Sequence, residues 1–186
     1  MQEGRIIVIS SPSGGGKTTL IKRILPRLKH LELAVSCTTR APRTGEHDGV
    51  DYSFISKDRF KEMISHGEFV EYADVHGHLY GTPKAAIDAN VKTGVDTLLD
   101  IDVQGALEIK KLYPNCISIF IAPPSMEELA KRLKGRATDK PTDIETRLVN
   151  AKKEMQFVDD YDHCVVNDNI DMAVKKVIEI IEAKRK

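Results

Sequence analysis

The 186-residue chain has no net charge: 28 Lys and Arg balance 28 Asp and Glu. Nothing in that total recommends a nucleic-acid or membrane partner, although a neutral sum can hide a local basic site. Cysteine is scarce. Cys37, Cys116 and Cys164 lie far apart, no pair has metal-ligand spacing, and an odd number makes a poor disulfide framework, so reduced thiols are expected. No run approaches the roughly 20 apolar residues of a membrane span. The opening MQEGRIIVIS lacks the apolar stretch of a secretory signal, and the expected location is cytoplasmic. Repeats and low-complexity tracts are also missing. What remains is 41% hydrophobic and 30% charged, an ordinary globular composition long enough for one domain with inserted lobes.

Arg5 to Ser10 (RIIVIS) is a continuous β-branched run, the pattern of a strand buried on both faces of a parallel sheet. After a glycine-rich turn, Leu20, Ile21, Ile24, Leu25 and Leu28 recur at helical spacing and predict a helix over Lys17 to Leu28. The strand-then-helix order repeats. Thr97 to Ile101 precedes a helix through Leu107 to Leu112, and Cys116 to Ile121 precedes a helix that Ser125 and Glu128 can cap as a capping box. His163 to Val166 precedes a C-terminal helix with Val174, Val177, Ile178 and Ile181 on one face. The alternation predicts an α/β fold, a parallel sheet flanked by helices.

Two stretches interrupt it. Residues 36–90 carry strand-like pieces at Tyr52 to Phe54 and Phe69 to Val75 with a helix between, and read as a small inserted α/β lobe. Residues 125–157 are helical around a bend at Gly135 to Pro141, a form suited to a lid. The core is then about residues 1–35, 95–124 and 160–186.

Between the first strand and helix stands Ser11-Pro12-Ser13-Gly14-Gly15-Gly16-Lys17-Thr18-Thr19, which resembles a P-loop. Glycines let backbone N–H groups turn inward around a phosphate, and the helix N-terminus adds partial positive charge. Lys17 can reach the β- and γ-phosphates, and the Thr18 hydroxyl can ligate Mg²⁺. The usual pattern opens on glycine, and here that position is Ser11.

A second motif follows: Ser36-Cys37-Thr38-Thr39-Arg40-Ala41-Pro42-Arg43-Thr44-Gly45-Glu46, then Asp51-Tyr52. With Glu71, Tyr80-Gly81-Thr82, Asp100 to Gly105, Ala122 to Ser125, Arg132, Arg136, Arg147 and Val166-Asn167-Asp168, the chain resembles guanylate kinases over nearly its whole length. The resemblance implies ATP and GMP as substrates and Mg²⁺ as cofactor. It gives Ser13, Gly14, Gly15, Gly16, Lys17, Thr18, Thr19 and Asn167 to ATP, with Asn167 near the adenine. It gives Thr18 and Asp100 to the metal, Asp100 directly or through water. Arg40, Arg43, Tyr52 and Tyr80 would hold the GMP phosphate, and Ser36, Glu71, Thr82 and Asp102 would read guanine. Lys17, Arg40, Arg132, Arg136 and Arg147 would stabilise the transferring group, the last three from the lid. No nucleic acid, membrane or obligate protein partner is implied.

The residue types fit that chemistry. Two guanidiniums three apart suit a doubly charged monophosphate through forked hydrogen bonds. A carboxylate such as Glu71 accepts both N1–H and N2–H of guanine and repels N1 of adenine, while the Ser36 and Thr82 hydroxyls can donate to O6. Taken singly, each has a blander reading: Arg40 and Arg43 as solvated loop charges, Glu71 as an exposed strand carboxylate, Arg132 as the i+4 partner of Glu128. Their joint order behind the phosphate loop favours the functional one. His76 and His78 would share a face on a strand, but no third metal ligand accompanies them. Two other functions stay open at this point: a phosphopeptide-binding domain without catalysis, and a P-loop kinase for another acceptor.

Overall fold

The computed structural model describes residues 3–75, 77–135 and 141–183. Arg136, His76 and most of the expected bend at Gly135 to Pro141 therefore lie outside the described residues, as does the side chain of Thr142, expected to cap the following helix. The main sheet has the strand order β2-β7-β1-β8-β9. Its strands are β1 (Ile6–Ser10), β2 (Leu31–Leu33), β7 (Asp96–Asp100), β8 (Ile117–Ala122) and β9 (His163–Val166). The pairs β2 with β7, β1 with β8 and β8 with β9 are parallel. A second sheet orders β4 (Ser53–Phe54), β3 (Cys37–Thr38), β6 (His78–Pro83) and β5 (Phe69–Val75).

The chain divides into two compact units. The first comprises residues up to Ile6, His30–Leu99 and Glu108–Cys116. It holds the second sheet, α2 (Lys57–Ser65) and α3 (Lys84–Thr93). Phe60 and Phe69 stack at 4.4 Å within a small core that includes Cys37 and Met63. Asp96 is almost fully buried and is paired with Arg5 at 2.7 Å, as a buried carboxylate requires.

The second unit comprises Ile7–Lys29, Asp100–Leu107 and residues from Ile117. Every residue of β1 and of β8 is buried, as expected of strands inside a parallel sheet. Its helices are α1 (Lys17–Ile24), α5 (Met126–Lys134), α6 (Pro141–Glu154) and α7 (Ile170–Ala183), and α4 (Val103–Leu112) begins in it.

Three sequence expectations change. The first helix ends at Ile24 and continues only as a 3-10 turn over Leu25–Arg27, because Pro26 has no N–H to continue the ladder. Around Gly77 the chain turns, with φ 81° and its N–H donated to Asp74, so His78 opens a strand of its own, β6, and does not continue β5. In α7 it is Ile180, not Ile178, that joins Val174, Val177 and Ile181 among the buried side chains. Strands β2, β3 and β6 and helix α3 carry too short or too polar a pattern to be read in advance.

Candidate active site

In the second unit, the segment Ser11 to Gly16 joins β1 to α1. Gly16 caps α1 in the left-handed region at φ 92°, and a Cβ there would strike the Asn167 amide. Gly14, at φ 89°, would bring a Cβ to 2.9 Å from Leu133. Both positions need glycine. Helices α2 and α5 are capped by Ser56 and Ser125 hydroxyls, whereas α1 has no side-chain cap and no acidic residue in its first turn. Its leading N–H groups are thus left without a side-chain acceptor, as at helix termini that can receive an anion.

Lys17 Nζ lies 2.7 Å from Asp100 Oδ1 and 2.7 Å from the Ile101 carbonyl. Asp100, expected at the metal, therefore holds the lysine in this state. Thr18 and Thr19 are exposed at the start of α1. Asn167, expected near the adenine, is buried and donates its amide N–H to Gly15 O at 2.8 Å. It buttresses the loop from beneath. Its own carbonyl accepts from Arg132 at 3.0 Å, and Arg132 also meets Glu128 at 3.4 Å. Asp102 accepts from the Gly105 N–H at 2.8 Å, at the start of α4. It belongs to this second unit and not to the unit holding the other residues expected to read guanine.

Helix α5 is packed along one face. Leu129 and Leu133 are fully buried, pack with Ala151, Ile144 and Leu148 of α6, and crowd Gly14. Arg147 is half-buried on α6. One group escaped the sequence reading: Glu154, at the end of α6. Burial pushes its carboxyl above the usual range, Asp102 adds to the rise, and the Ser13 N–H that it accepts and Lys17 oppose it. Its Oε2 is buried with no hydrogen-bond partner among the described residues.

In the first unit, Ser36, Glu71 and Thr82 come together as expected. The Thr82 hydroxyl donates to Glu71 at 2.6 Å and lies 3.2 Å from the Ser36 hydroxyl. Glu71 faces inward because β5 carries an irregularity between Phe69 and Glu71, so Phe69, Val70 and Glu71 are buried in succession. The hydroxyl hydrogen of Thr82 is engaged by Glu71, so donation to a ligand carbonyl requires it to turn.

Arg40 lies over the Tyr52 and Phe54 rings at 5.5 and 5.7 Å, and Tyr52 packs edge-on to Tyr80 at 5.8 Å. Its guanidinium meets Glu46 at 2.8 and 2.9 Å. That pairing, with the Tyr80 bond, raises the arginine's pKa further and holds Glu46 below the usual carboxylate range. The fork expected for a phosphate is thus occupied by a carboxylate. The Arg43 side chain is exposed nearby in sequence. Glu46 stood inside the motif, but nothing in its spacing signalled this contact. Among the described residues no cluster of three His, Cys, Asp or Glu could hold a metal, and no helix is long and apolar enough to cross a membrane.

A family model described as guanylate kinase matches residues 3–184. A guanylate kinase of Thermotoga maritima is 47% identical over 183 residues, covering 98% of this chain and 88% of that protein. One from Clostridioides difficile is 45% identical over 185 residues, covering 100% of this chain and 90% of its own length. The crystal structure of guanylate kinase from Anaplasma phagocytophilum matches with a TM-score of 0.82 at 36% identity, over 99% of this chain and 87% of that one.

Proposed function

The chain belongs to the guanylate kinase family, and from that premise we propose that it transfers the γ-phosphoryl group of ATP to GMP, giving ADP and GDP. One observation carries the acceptor's identity. A buried carboxylate, Glu71, is hydrogen-bonded to Thr82 beside Ser36, in the same unit as Arg40, Tyr52 and Tyr80. A carboxylate walled off from water accepts two N–H donors on one edge, which guanine has and adenine lacks. Asp102 would join the guanine set only if its cap on α4 leaves an oxygen for the ligand.

The uncapped start of α1, with Lys17 and the glycine turn, takes the donor's phosphates. Binding draws Lys17 from Asp100 toward the β- and γ-phosphates. The released Asp100 carboxylate and the exposed Thr18 hydroxyl are hard oxygen donors that suit Mg²⁺. The ion, when bound, neutralises phosphate charge. A phosphate oxygen of GMP attacks the γ-phosphorus in line, without a strong base, so the protein contributes positioning and charge. Arg132, Arg136 and Arg147 supply part of that charge from residues 125–157, the lid, while residues 36–90 bind the monophosphate. Arg132 must first leave the Asn167 carbonyl.

The direct test is ADP release in a coupled assay. Release that requires GMP is the expected result. No release with GMP would remove the proposed reaction and favour a binding domain, and release that does not depend on GMP would remove it in favour of ATP hydrolysis or another acceptor.

A further inference from the structure

A guanidinium has five N–H donors. In Arg40 four are already engaged. Nε donates to the Tyr80 hydroxyl at 3.1 Å, Nη1 to the Ala41 carbonyl at 2.7 Å and to Glu46 Oε2 at 2.8 Å, and Nη2 to Glu46 Oε1 at 2.9 Å. Glu46 takes the end of the planar group with both oxygens, in the bidentate geometry that a phosphate would otherwise claim. The N–H that remains is the second one on Nη2, on the same edge as Nε. Beside it stands the Tyr80 hydroxyl, whose oxygen accepts from Nε and whose hydrogen is therefore available.

Two outcomes are conceivable when an anion arrives. The carboxylate could leave and hand over the fork, or it could stay and set the arginine's plane. The local structure favours the second. Glu46 Oε2 also accepts from the Arg43 backbone N–H at 2.7 Å, and the Glu46 N–H donates back to the Arg43 carbonyl at 3.0 Å, so the carboxylate is tied to its own turn. Its side chain is only 20% exposed. The guanidinium is confined by the Tyr52 and Phe54 rings. Swinging Glu46 away would break three hydrogen bonds, two of them to a charged partner.

We propose that Glu46 is a positioning residue of the acceptor site. It stays paired with Arg40 in the complex and leaves one Nη2 N–H, together with the Tyr80 hydroxyl hydrogen, aimed at a single phosphate oxygen of the acceptor. This deepens the reading above and rests on it, since it takes Arg40 to meet the monophosphate. The acceptor's phosphate is then held by single donors from several residues and not by an arginine fork. The negative charge beside the site also lowers its attraction for anions that lack the rest of the nucleotide.

The test compares Glu46→Ala and Glu46→Gln in the full chain. The dissociation constants of GMP and of guanosine are measured calorimetrically, alongside steady-state kinetics. Glu46→Ala is expected to weaken GMP about tenfold or more, with guanosine affinity and the KM for ATP unchanged. Glu46→Gln, which keeps one acceptor oxygen for Arg40, should recover part of the loss. In an Arg40→Ala background the Glu46→Ala change should cost under about twofold, because the effect runs through the arginine. GMP bound equally or more tightly by Glu46→Ala would overturn the proposal, since the carboxylate would then be a competitor of phosphate. Equal loss of guanosine, or a full loss persisting without Arg40, would also overturn it. In those cases wild-type turnover of GMP keeps the kinase reading intact. A wild type that binds no GMP would remove that reading and this proposal with it.

Discussion

At the scale of single residues, the pairings seen in the empty protein decide what each substitution does. Lys17 is held by Asp100 and the Ile101 carbonyl, all in the unit of the phosphate loop. Lys17→Ala should therefore nearly abolish turnover and leave the GMP dissociation constant largely unchanged by calorimetry. A large loss of GMP affinity in folded protein would contradict the assignment. Glu71 holds the Thr82 hydroxyl in a shielded position. Glu71→Gln replaces one acceptor oxygen by a donor and removes the charge, which should cost about 2–4 kcal/mol in kcat/KM for GMP. Unchanged kinetics would mean that Glu71 does not read the base. The sequence carried the identity of these residues but not their states. Residue order could show that Ser36, Glu71 and Thr82 belong to one motif set. It could not show that the Thr82 hydrogen points at Glu71, or that the fork of Arg40 is filled by Glu46, because those contacts depend on side-chain geometry across strands and turns.

At the scale of elements, the legible parts were those with a strong local cause. The buried runs of β1 and β8, the hydroxyl cap of α5 at Ser125 and the glycine turn before α1 could all be read directly. The two-residue strand β3 has no period to detect, and the burial of Glu71 follows from an irregularity in β5 that no alternation pattern records. The buried leucines of α5 pack it against α6, within the same expected lid, and approach the phosphate loop at Gly14. Any motion on nucleotide binding must preserve or repack that contact. Arg147 on α6 remains the candidate for transition-state charge. Arg147→Ala should lower kcat about 100-fold with GMP affinity barely changed, and a normal kcat in folded protein would make it a surface charge.

The end of α6 offers a second test at this scale. The carboxyl of Glu154 has a raised pKa in the folded protein because burial disfavours its charge. Its protonated form is favoured by folding, so this contribution to stability is complete below the unfolded pKa and is lost as pH rises through the folded value. Glu154→Gln should accordingly raise Tm relative to wild type near pH 7, and the difference should shrink toward pH 4. A difference independent of pH would show that Glu154 is not carrying a burial penalty.

At the scale of the whole molecule, the alternation of strand and helix predicted the parallel sheet and its flanking helices, and the fold agrees with a known guanylate kinase structure. The compact units cut the chain differently from the sequence pattern, because packing groups β2, β7 and the end of α4 with the second sheet. One unit holds the phosphate loop, Asp100 and Asn167, and the other holds Arg40, Tyr52, Glu71, Tyr80 and Thr82. That division suits one nucleotide for each set, and the decisive question is which monophosphate the second set accepts. The most direct measurement is kcat/KM with ATP across AMP, GMP, UMP, CMP and dTMP. GMP is expected to be preferred by about 10⁴-fold or more over AMP, as for a buried site built to pair with N–H donors. Comparable turnover of AMP, or a better pyrimidine acceptor, would contradict it.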